Sequence, residues 1–253
     1  LDLYGKDDSG RWRWIAVCKP TAQQMKTRLV HGLRAGMRDY QIYLPLYNGT
    51  ESLKIGIDPS KTFNPIAPRS DKPIVFYGTS ITHGACASRP GMPHPAILGR
   101  RLDRPVINLG FSGNGKLEKE VAQFLVELDP CVYVLDCLPN MVAEEIRERT
   151  LPIVRQLRTE HPDVPIVLVE DRSYSGSWAL SSQKERNRTS RQAFRDEYRR
   201  LVDAGVEKLS YLEGEGLLGD DRDDTTDGSH PSDLGFYRQA NAMEPVLRNS
   251  IGS

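Results

Sequence analysis

The feature that most constrains the fold is a series of short, continuous apolar runs after residue 72. They occupy residues 73–77, 106–109 (interrupted only by Asn108), 132–135 and 166–169, and residues 206–212, of mixed polar and apolar character, form a fifth predicted strand. Runs of this length without polar alternation are typical of strands buried on both faces. Helical patterns lie between or after them, at residues 117–128, 142–160, 182–202 and from 233 onward. Because strands alternate with helices, the pattern predicts a parallel sheet covered on both sides, whose ligands bind at the carboxyl ends of the strands.

A proline-rich segment separates this region from an amino-terminal part of different character. Residues 64–73 contain three prolines, which restrict the backbone and favour an extended linker. Before it, residues 12–17 and 40–47 are rich in strand-forming residues, and Asn48-Gly49 followed by the alternating residues 53–57 predicts a hairpin. We therefore predict two domains. The first is a small β module at residues 1–66, or the remnant of a sandwich whose other strands precede residue 1, and the second is an α/β domain at residues 73–253.

The composition argues against several classes of partner. The chain has 34 Lys plus Arg and 34 Asp plus Glu, and this balance disfavours nucleic acid or an anionic membrane surface. No apolar run approaches the roughly 20 residues of a membrane-spanning helix. The four cysteines show neither a CxxC nor a mixed Cys/His pattern, and no phosphate-binding motif occurs. We therefore expect no metal site and no cofactor.

Two of the predicted strands run into segments suited to covalent catalysis. The first ends in Gly78-Thr79-Ser80, which places a serine hydroxyl at the carboxyl end of a strand. The second runs into residues 108–115, where three glycines in six residues let the backbone turn tightly and expose N–H groups. Such a loop suits either the binding of an oxyanion or an ordinary strand-to-helix turn.

Two further segments supply an amide and an imidazole. The third strand is followed by Pro139-Asn140, and the Asn140 side chain either caps a helix or donates to a developing oxyanion. Near the carboxyl terminus, Asp227 precedes His230 by three residues. A carboxylate at this spacing can accept a hydrogen bond from Nδ1 of the imidazole, which leaves Nε2 free as a base.

In combination and in chain order, these segments resemble the four sequence blocks of the SGNH (GDSL-type) hydrolases over about residues 73–250. The resemblance assigns Ser80 as nucleophile, Asp227 and His230 as its catalytic partners, and Ser80, Gly113 and Asn140 as oxyanion donors. It also implies a three-layer, flavodoxin-like, doubly wound parallel sheet of five strands. The segment at residues 1–4 resembles the start of a small module found in some bacterial members, and the resemblance favours an exported bacterial protein, periplasmic or extracellular.

The chain departs from the family pattern in the first and third blocks, and the third block also lacks its usual glycine. Thr79 stands where the family name has an aspartate, and Met141 follows Asn140 where an acid is usual. Because the reacting groups all remain, we expect these departures to alter fine geometry rather than reaction class. The α/β-hydrolase fold, which shares the chain order Ser, Asp, His, is disfavoured because no G-x-S-x-G motif occurs.

The resemblance implies a serine esterase that forms an acyl-enzyme on Ser80. Arg89, His94, Arg172 and Trp178 supply aromatic and hydrogen-bonding groups suited to a sugar ring. We therefore predict a short acyl ester, acetyl above all, on an oligosaccharide or small molecule. Three alternatives stay open: an acyltransferase with the same intermediate, a non-catalytic carbohydrate-binding protein, and a flavodoxin-like nucleotide binder.

Two of the cysteines follow predicted strands and leave one further alternative open. Cys86 and Cys137 come after the first and third strands, which are neighbours in a flavodoxin-like sheet, so both are expected on loops beside the active site. They are expected either to pair in an oxidising compartment or to remain free thiols.

Overall fold

The computed structural model describes residues 1–252, which form two compact units. The smaller unit comprises Leu1–Asp71 together with Arg89–Gly91, and the larger unit comprises Lys72–Ser88 and the chain from Met92 onward. Within residues 1–252, no helix combines the length and the apolar character needed to cross a membrane.

The smaller unit contains a three-stranded antiparallel sheet. Its central strand is β1 (Asp2–Lys6), and β2 (Trp12–Val17) and β3 (Tyr40–Tyr43) pair with it on either side. The Asp2 carboxylate is fully buried and accepts hydrogen bonds from the Trp14 indole, the Arg89 guanidinium and the Gly91 N–H. These charge-assisted bonds offset the cost of removing a carboxylate from water.

The hairpin predicted around Asn48-Gly49 is wrong. Residues 44–57 form no strand, and Leu53, Ile55 and Ile57 are about half exposed. β1, which the sequence pattern did not indicate, pairs with β2 and β3 instead. Alternating apolar residues form a stable strand only where a partner satisfies the backbone groups and another surface covers the apolar face.

The larger unit is built on a five-stranded parallel sheet. In chain order its strands are β4 (Ile74–Gly78), β5 (Val106–Gly110), β6 (Val132–Asp136), β7 (Ile166–Val169) and β8 (Leu209–Leu212). Their spatial order is β5-β4-β6-β7-β8, so the first strand lies between the second and the third. This is the flavodoxin-like arrangement, and the predicted fold class is confirmed.

In the described part of the chain, residues 1–252, six helices accompany this sheet: α1 (Ser80–His83), α2 (His94–Leu102), α3 (Lys119–Leu125), α4 (Ala143–Glu160), α5 (Ser181–Asp203) and α6 (Asp233–Gly252). Val75 and Tyr77 of β4 face the core shared with α3, α4 and α5, whereas Ile74 and Phe76 face the core shared with α2 and α6. Successive side chains of a strand point to opposite faces, so a strand buried on both faces needs a continuous apolar run.

The strand register brings three loops to one edge of the sheet. Gly78 at the end of β4 lies opposite Gly110 on one side and Asp136 on the other. The segments that follow these three strands therefore begin side by side. They carry the predicted nucleophile, the glycine-rich loop and the predicted amide donor.

Candidate active site

Ser80 lies at the junction between β4 and α1. The hydroxyl of Thr79 accepts a hydrogen bond from the Ile81 N–H at 3.2 Å and caps the helix, and Ser80 is its first residue. A Cβ on Gly78 would lie 2.8 Å from the carbonyl oxygen of Asp136, so the end of β4 has no room for a side chain. The backbone thus fixes where the Ser80 hydroxyl emerges, and Thr79 supplies a cap in place of the family's carboxylate.

The imidazole of His230 contacts the Ser80 hydroxyl although 150 residues separate them along the chain. The distance from Ser80 Oγ to His230 Nε2 is 2.9 Å, and His230 Nδ1 lies 2.8 Å from Asp227 Oδ2. The second carboxylate oxygen of Asp227 accepts hydrogen bonds from the N–H groups of His230 and Ser229, at 2.7 and 3.0 Å. Hydroxyl, imidazole and carboxylate therefore form one hydrogen-bonded series.

The hydrogen bonds around Asp227 determine its charge. Burial raises the pKa of this carboxyl group, but hydrogen bonds from the backbone and ring of His230 and from the Ser229 N–H outweigh it and hold the pKa at about 2. The carboxylate is therefore ionised at neutral pH and accepts the proton on Nδ1. This tautomer leaves the lone pair of Nε2 directed at the Ser80 hydroxyl, as a general base requires.

Arg172 fixes the loop that carries the imidazole. Its guanidinium donates to the carbonyl oxygen of Ser229 at 2.9 Å and to the hydroxyl of the same residue, and it pairs with the neighbouring Asp171. Arg172 and Asp171 are both almost fully buried. Burial raises the pKa of the Asp171 carboxyl group, and the positive charge of the Arg172 guanidinium partly opposes this rise. Three residues further along the same segment, the backbone N–H of Ser175 donates to the Gly228 carbonyl at 3.1 Å. Side-chain and backbone donors from the segment after β7 thus hold an irregular loop.

The glycine-rich loop after β5 passes directly over the end of β4. Gly115 has a φ of +71°, and a Cβ there would lie 2.0 Å from the carbonyl oxygen of Gly78. Gly113 also has a positive φ, +75°, with open space where a side chain would stand. The close approach at Gly115 brings the loop that carries Gly113, one of the predicted oxyanion donors, next to the strand that leads into the nucleophile.

Asn140 connects the third strand to this loop. It ends a short 3-10 helix after β6, and its side-chain nitrogen donates to the carbonyl oxygen of Asn114 at 2.5 Å. The Ser80 N–H is the first of α1 and has no acceptor within that helix. The three predicted oxyanion donors thus lie on the three segments that the strand register brings together.

The four residues predicted to bind substrate have different surroundings. Trp178 is 79% exposed and ends the short helix Ser175–Trp178 after β7. Arg172 is occupied by the loop of His230, as described above. Arg89 belongs to the smaller unit, where it pairs with Asp2. Of these side chains, Trp178 has the surface that contact with a large substrate requires.

His94, the fourth of these residues, is fully buried. Its ring lies between Phe76 and Phe236, and Nε2 is 3.4 Å from the carboxylate of Asp136. The same carboxylate accepts a hydrogen bond from the Thr82 hydroxyl at 3.1 Å. His94 therefore belongs to a polar cluster beneath the sheet edge, where substrate has no access to it.

Cys86 lies at the site, as its predicted position on a loop after the first strand of the α/β domain indicated, but sequence reasoning gave it no contact with the catalytic residues. Its sulfur, a carboxylate oxygen of Asp227 and a ring nitrogen of His230 all lie within 4.8 Å of one another. Cys137 is instead buried, which raises the pKa of its thiol well above the usual range. Both cysteines are free thiols, so the disulfide considered as an alternative is not formed. No motif marks Cys86, because only the turn after α1 returns it to the catalytic residues.

A hydroxyl, an imidazole and a carboxylate in series at the carboxyl edge of a doubly wound sheet are the arrangement of the serine hydrolase class. The chain belongs to the GDSL-like lipase/acylhydrolase family, whose model matches residues 71–248. Residues 1–63 match the domain described as the N-terminus of SGNH-type esterases. The family that the motifs indicated is thereby confirmed.

Several solved structures are similar to this chain. A protein from Bacteroides ovatus described as a GDSL-like lipase is 36% identical with a TM-score of 0.91, over 99% of this chain and 74% of that one. A salicylyl-acyltransferase from a tetracycline biosynthetic pathway is 19% identical with a TM-score of 0.61, over 72% and 56%. A family two carbohydrate esterase from Clostridium thermocellum is 16% identical with a TM-score of 0.55, over 74% and 67%. The last two share the fold alone, and none of the curated proteins matches the chain.

Proposed function

We propose that this protein is a serine esterase that removes a short acyl group, acetyl above all, from a carbohydrate. The observation that carries the proposal is the 2.9 Å distance between Ser80 Oγ and His230 Nε2, with Asp227 bound to the other ring nitrogen. Membership of an acylhydrolase family supports the reaction class. The carbohydrate is supported by the exposed indole of Trp178, and the acyl length is tested by the ester series described below.

The reaction proceeds through an acyl-enzyme. Ser80 Oγ attacks the ester carbonyl carbon while Nε2 of His230 takes the hydroxyl proton. His230 then gives this proton to the leaving alkoxide as the carbon–oxygen bond breaks, and the acyl group remains on Oγ. Asp227 is ionised, with a pKa of about 2, and stabilises the imidazolium that forms between these steps. Water, activated by His230 in the same way, releases the acid and restores the hydroxyl.

Backbone and side-chain amides stabilise the negative charge of the tetrahedral intermediate. The N–H groups of Ser80 and Gly113 and the side chain of Asn140 are the proposed donors. Asn140 uses one amide hydrogen on the carbonyl of Asn114, and an amide nitrogen carries a second hydrogen for the oxyanion. Loss of one such donor raises the barrier by about 3–4 kcal/mol.

The exposed indole of Trp178 supports a carbohydrate as the group that carries the ester. Trp178 follows Ser175 by three residues, and the Ser175 N–H binds the Gly228 carbonyl in the catalytic loop. An exposed ring of this size offers an apolar face on which a sugar can stack. One of the structures that share the fold is a carbohydrate esterase solved with cellohexaose, which agrees with this substrate class.

Replacement of the nucleophile tests the reaction class. Ser80→Ala is expected to lower kcat for p-nitrophenyl acetate by about 10⁵–10⁶-fold, because no other group forms the acyl-enzyme. Ser182→Ala, an exposed serine on α5, is the matched control and should retain the wild-type rate. Ester hydrolysis by the Ser80→Ala protein at more than a hundredth of the wild-type rate would rule the proposal out.

The substrate class is tested with two series of esters. Rates on p-nitrophenyl esters should fall from acetyl to decanoyl, and acetylated oligosaccharides should release acetate. Trp178→Ala should raise KM for the oligosaccharide and leave p-nitrophenyl acetate unchanged, whereas Leu180→Ala, also exposed nearby in sequence, should change neither. A preference for long acyl chains would refute the short-acyl part of the proposal.

An acyltransferase is the second candidate, because an acyltransferase is among the structures that share this fold. It would form the same acyl-enzyme and pass the acyl group to an alcohol instead of water. Adding sugars or simple alcohols to the assay and measuring ester product against free acid distinguishes the two. Mostly free acid at all acceptor concentrations supports the esterase.

A further inference from the structure

A thiol lies beside the two residues proposed to act as base and orienting acid. The sulfur of Cys86, a carboxylate oxygen of Asp227 and a ring nitrogen of His230 are mutually within 4.8 Å. Cys86 and Asp227 are exposed and His230 is half-buried, so a solute can reach all three donors. It is the one cluster of three or more such donors among residues 1–252.

The segment that carries Cys86 is held in place from both ends. The N–H groups of Gly84 and Ala85 both donate to the Ser80 carbonyl oxygen at 2.9 Å, which turns the chain back after α1. Two residues beyond the cysteine, the N–H and hydroxyl of Ser88 donate to the carboxylate of Asp233 at the start of α6. The segment that carries the thiol is thus bonded to the backbone of Ser80 on one side. On the other side it is bonded to Asp233, which starts α6 three residues after His230.

We propose that Cys86, Asp227 and His230 form an inhibitory binding site for a thiophilic divalent cation, of which Zn²⁺ is the representative. Thiolate, imidazole and carboxylate are the ligands that zinc prefers, whereas Mg²⁺ and Ca²⁺ prefer oxygen ligands alone. With metal–ligand bonds of about 2.0–2.3 Å, the ligands of a tetrahedral zinc lie roughly 3.3–3.8 Å apart. Side-chain rotations that move each donor by about an ångström would close the site. Three protein ligands leave the fourth position to water.

A cation in this position disables the base whichever ring nitrogen it takes. On Nε2 it occupies the lone pair that would accept the Ser80 proton. On Nδ1 it displaces the proton to Nε2, which then donates to Ser80 Oγ instead of accepting from it. In either case the Asp227 carboxylate coordinates the metal and no longer serves the imidazole alone. The Cys86 thiol loses its proton to solvent as its sulfur binds. Occupancy of the site therefore stops acylation.

The inhibitory effect rests on the proposed esterase function, whereas cation binding does not, so the two are measured separately. Binding of ZnCl₂ is measured by calorimetry on the Ser80→Ala protein, with and without Cys86→Ser. We expect the cysteine substitution to weaken binding at least about tenfold. Co²⁺ in place of Zn²⁺ should give a thiolate-to-cobalt absorption band that Cys86→Ser abolishes.

Inhibition is measured on the Ser80 enzyme with p-nitrophenyl acetate, each variant relative to its own metal-free rate. Zinc should inhibit the wild type, and EDTA should restore its activity. In the Cys86→Ser variant, half-maximal inhibition should need a zinc concentration at least tenfold higher. Cys131→Ser, at the opposite end of β6 from the catalytic edge, is the matched control and should be inhibited like the wild type. Mg²⁺ should not inhibit.

Two results would overturn the site: equal zinc binding with and without Cys86→Ser, and equal zinc inhibition of the wild type and Cys86→Ser. An absence of ester hydrolysis by the wild type would overturn the proposed function alone. Zinc binding that depends on Cys86 would support the site in that case as well.

Discussion

The two halves of the candidate catalytic pair are held by different kinds of structure. Ser80 follows β4, a strand paired on both sides and fully buried, and it is itself only 8% exposed. His230 lies in an irregular loop between β8 and α6 and is half-buried. Backbone hydrogen bonds and glycine contacts fix the nucleophile, whereas bonds to and from side chains, chiefly those of Arg172 and Asp227, fix the base.

This difference determines which substitutions the site should tolerate. A geometry made by the backbone survives the loss of a side chain that merely caps a helix, because the sheet still defines the position. A geometry that depends largely on side-chain bonds changes when one donor or acceptor is removed, because the few backbone bonds of the loop, such as that from the Ser175 N–H to the Gly228 carbonyl, do not replace the lost contact. We therefore expect the half that holds His230 to be the more sensitive of the two to substitution. It is also the half that a solute can reach.

Among the variants that test this comparison, the largest effect is expected from Asp227→Asn, which removes the carboxylate acceptor for Nδ1. An amide can present its N–H₂ to the ring and stabilise the wrong tautomer, so kcat should fall about 10⁴-fold with little change in folding. The measurement is steady-state hydrolysis of p-nitrophenyl acetate. Asp221→Asn, which changes an exposed ion pair with Arg238, is the matched control in the same acidic region and should stay near the wild-type rate. A kcat for Asp227→Asn above a tenth of wild type would contradict the role of the carboxylate.

The next effect compares the two halves directly through stability. Arg172→Ala leaves the buried Asp171 carboxylate without its charged partner and should cost about 3–5 kcal/mol in the free energy of unfolding. On the nucleophile side, Thr79→Ala removes the cap of α1 and should cost about 1 kcal/mol. Urea denaturation measures both. Equal losses for the two variants would break the comparison.

Arg172→Lys separates the charge of Arg172 from its hold on the loop. Lysine keeps a positive charge beside Asp171 but lacks the planar fork that reaches both the carbonyl and the hydroxyl of Ser229. It should recover part of the stability lost in Arg172→Ala without recovering kcat. Recovery of both would mean that charge alone accounts for the role of Arg172.

The smallest effect is the pH dependence of stability that Asp227 contributes. Its pKa in the folded protein is about 2, below the ordinary 3.8. A depressed pKa means that the folded state favours the ionised form, so this contribution is fully present above about pH 4 and is lost as the pH falls towards 2. The stability difference between the wild type and Asp227→Asn should therefore shrink between pH 5 and pH 2.5. A difference that stays constant over this range would contradict the shift.

Much of the larger unit could be predicted because its signals are local. A strand covered on both faces needs a continuous apolar run, and residues at the carboxyl ends of parallel strands share one edge. These two rules indicated that the loops after three strands share one edge, and the resemblance to the SGNH blocks singled out Ser80, Gly113 and Asn140 within them. The three-residue spacing from Asp227 to His230 indicated a carboxylate–imidazole pair, because that contact also depends on a short stretch of chain.

Other features depend on contacts between residues that no local pattern relates. The burial of the His94 ring, the hydrogen bond from Arg172 to Ser229 and the pairing of Arg89 with Asp2 are contacts that residue type and spacing did not indicate. In the smaller unit, the alternating residues 53–57 predicted a strand that is absent. A side chain's character says what it can bind, but its burial and its neighbours decide what it does bind.

The sequence alone determined the class of fold and the residue types of the reaction, since strand burial and motif spacing act over a few residues. The tertiary structure alone decided that a hydroxyl and an imidazole 150 residues apart lie at hydrogen-bonding distance. It also decided that the thiol of Cys86 lies within 4.8 Å of donor atoms of Asp227 and His230, whereas the sequence indicated only that its loop follows a strand at this edge of the sheet. Such long-range contacts depend on how the whole sheet and its connecting loops pack, because side chains far apart in sequence come together only when the chain folds.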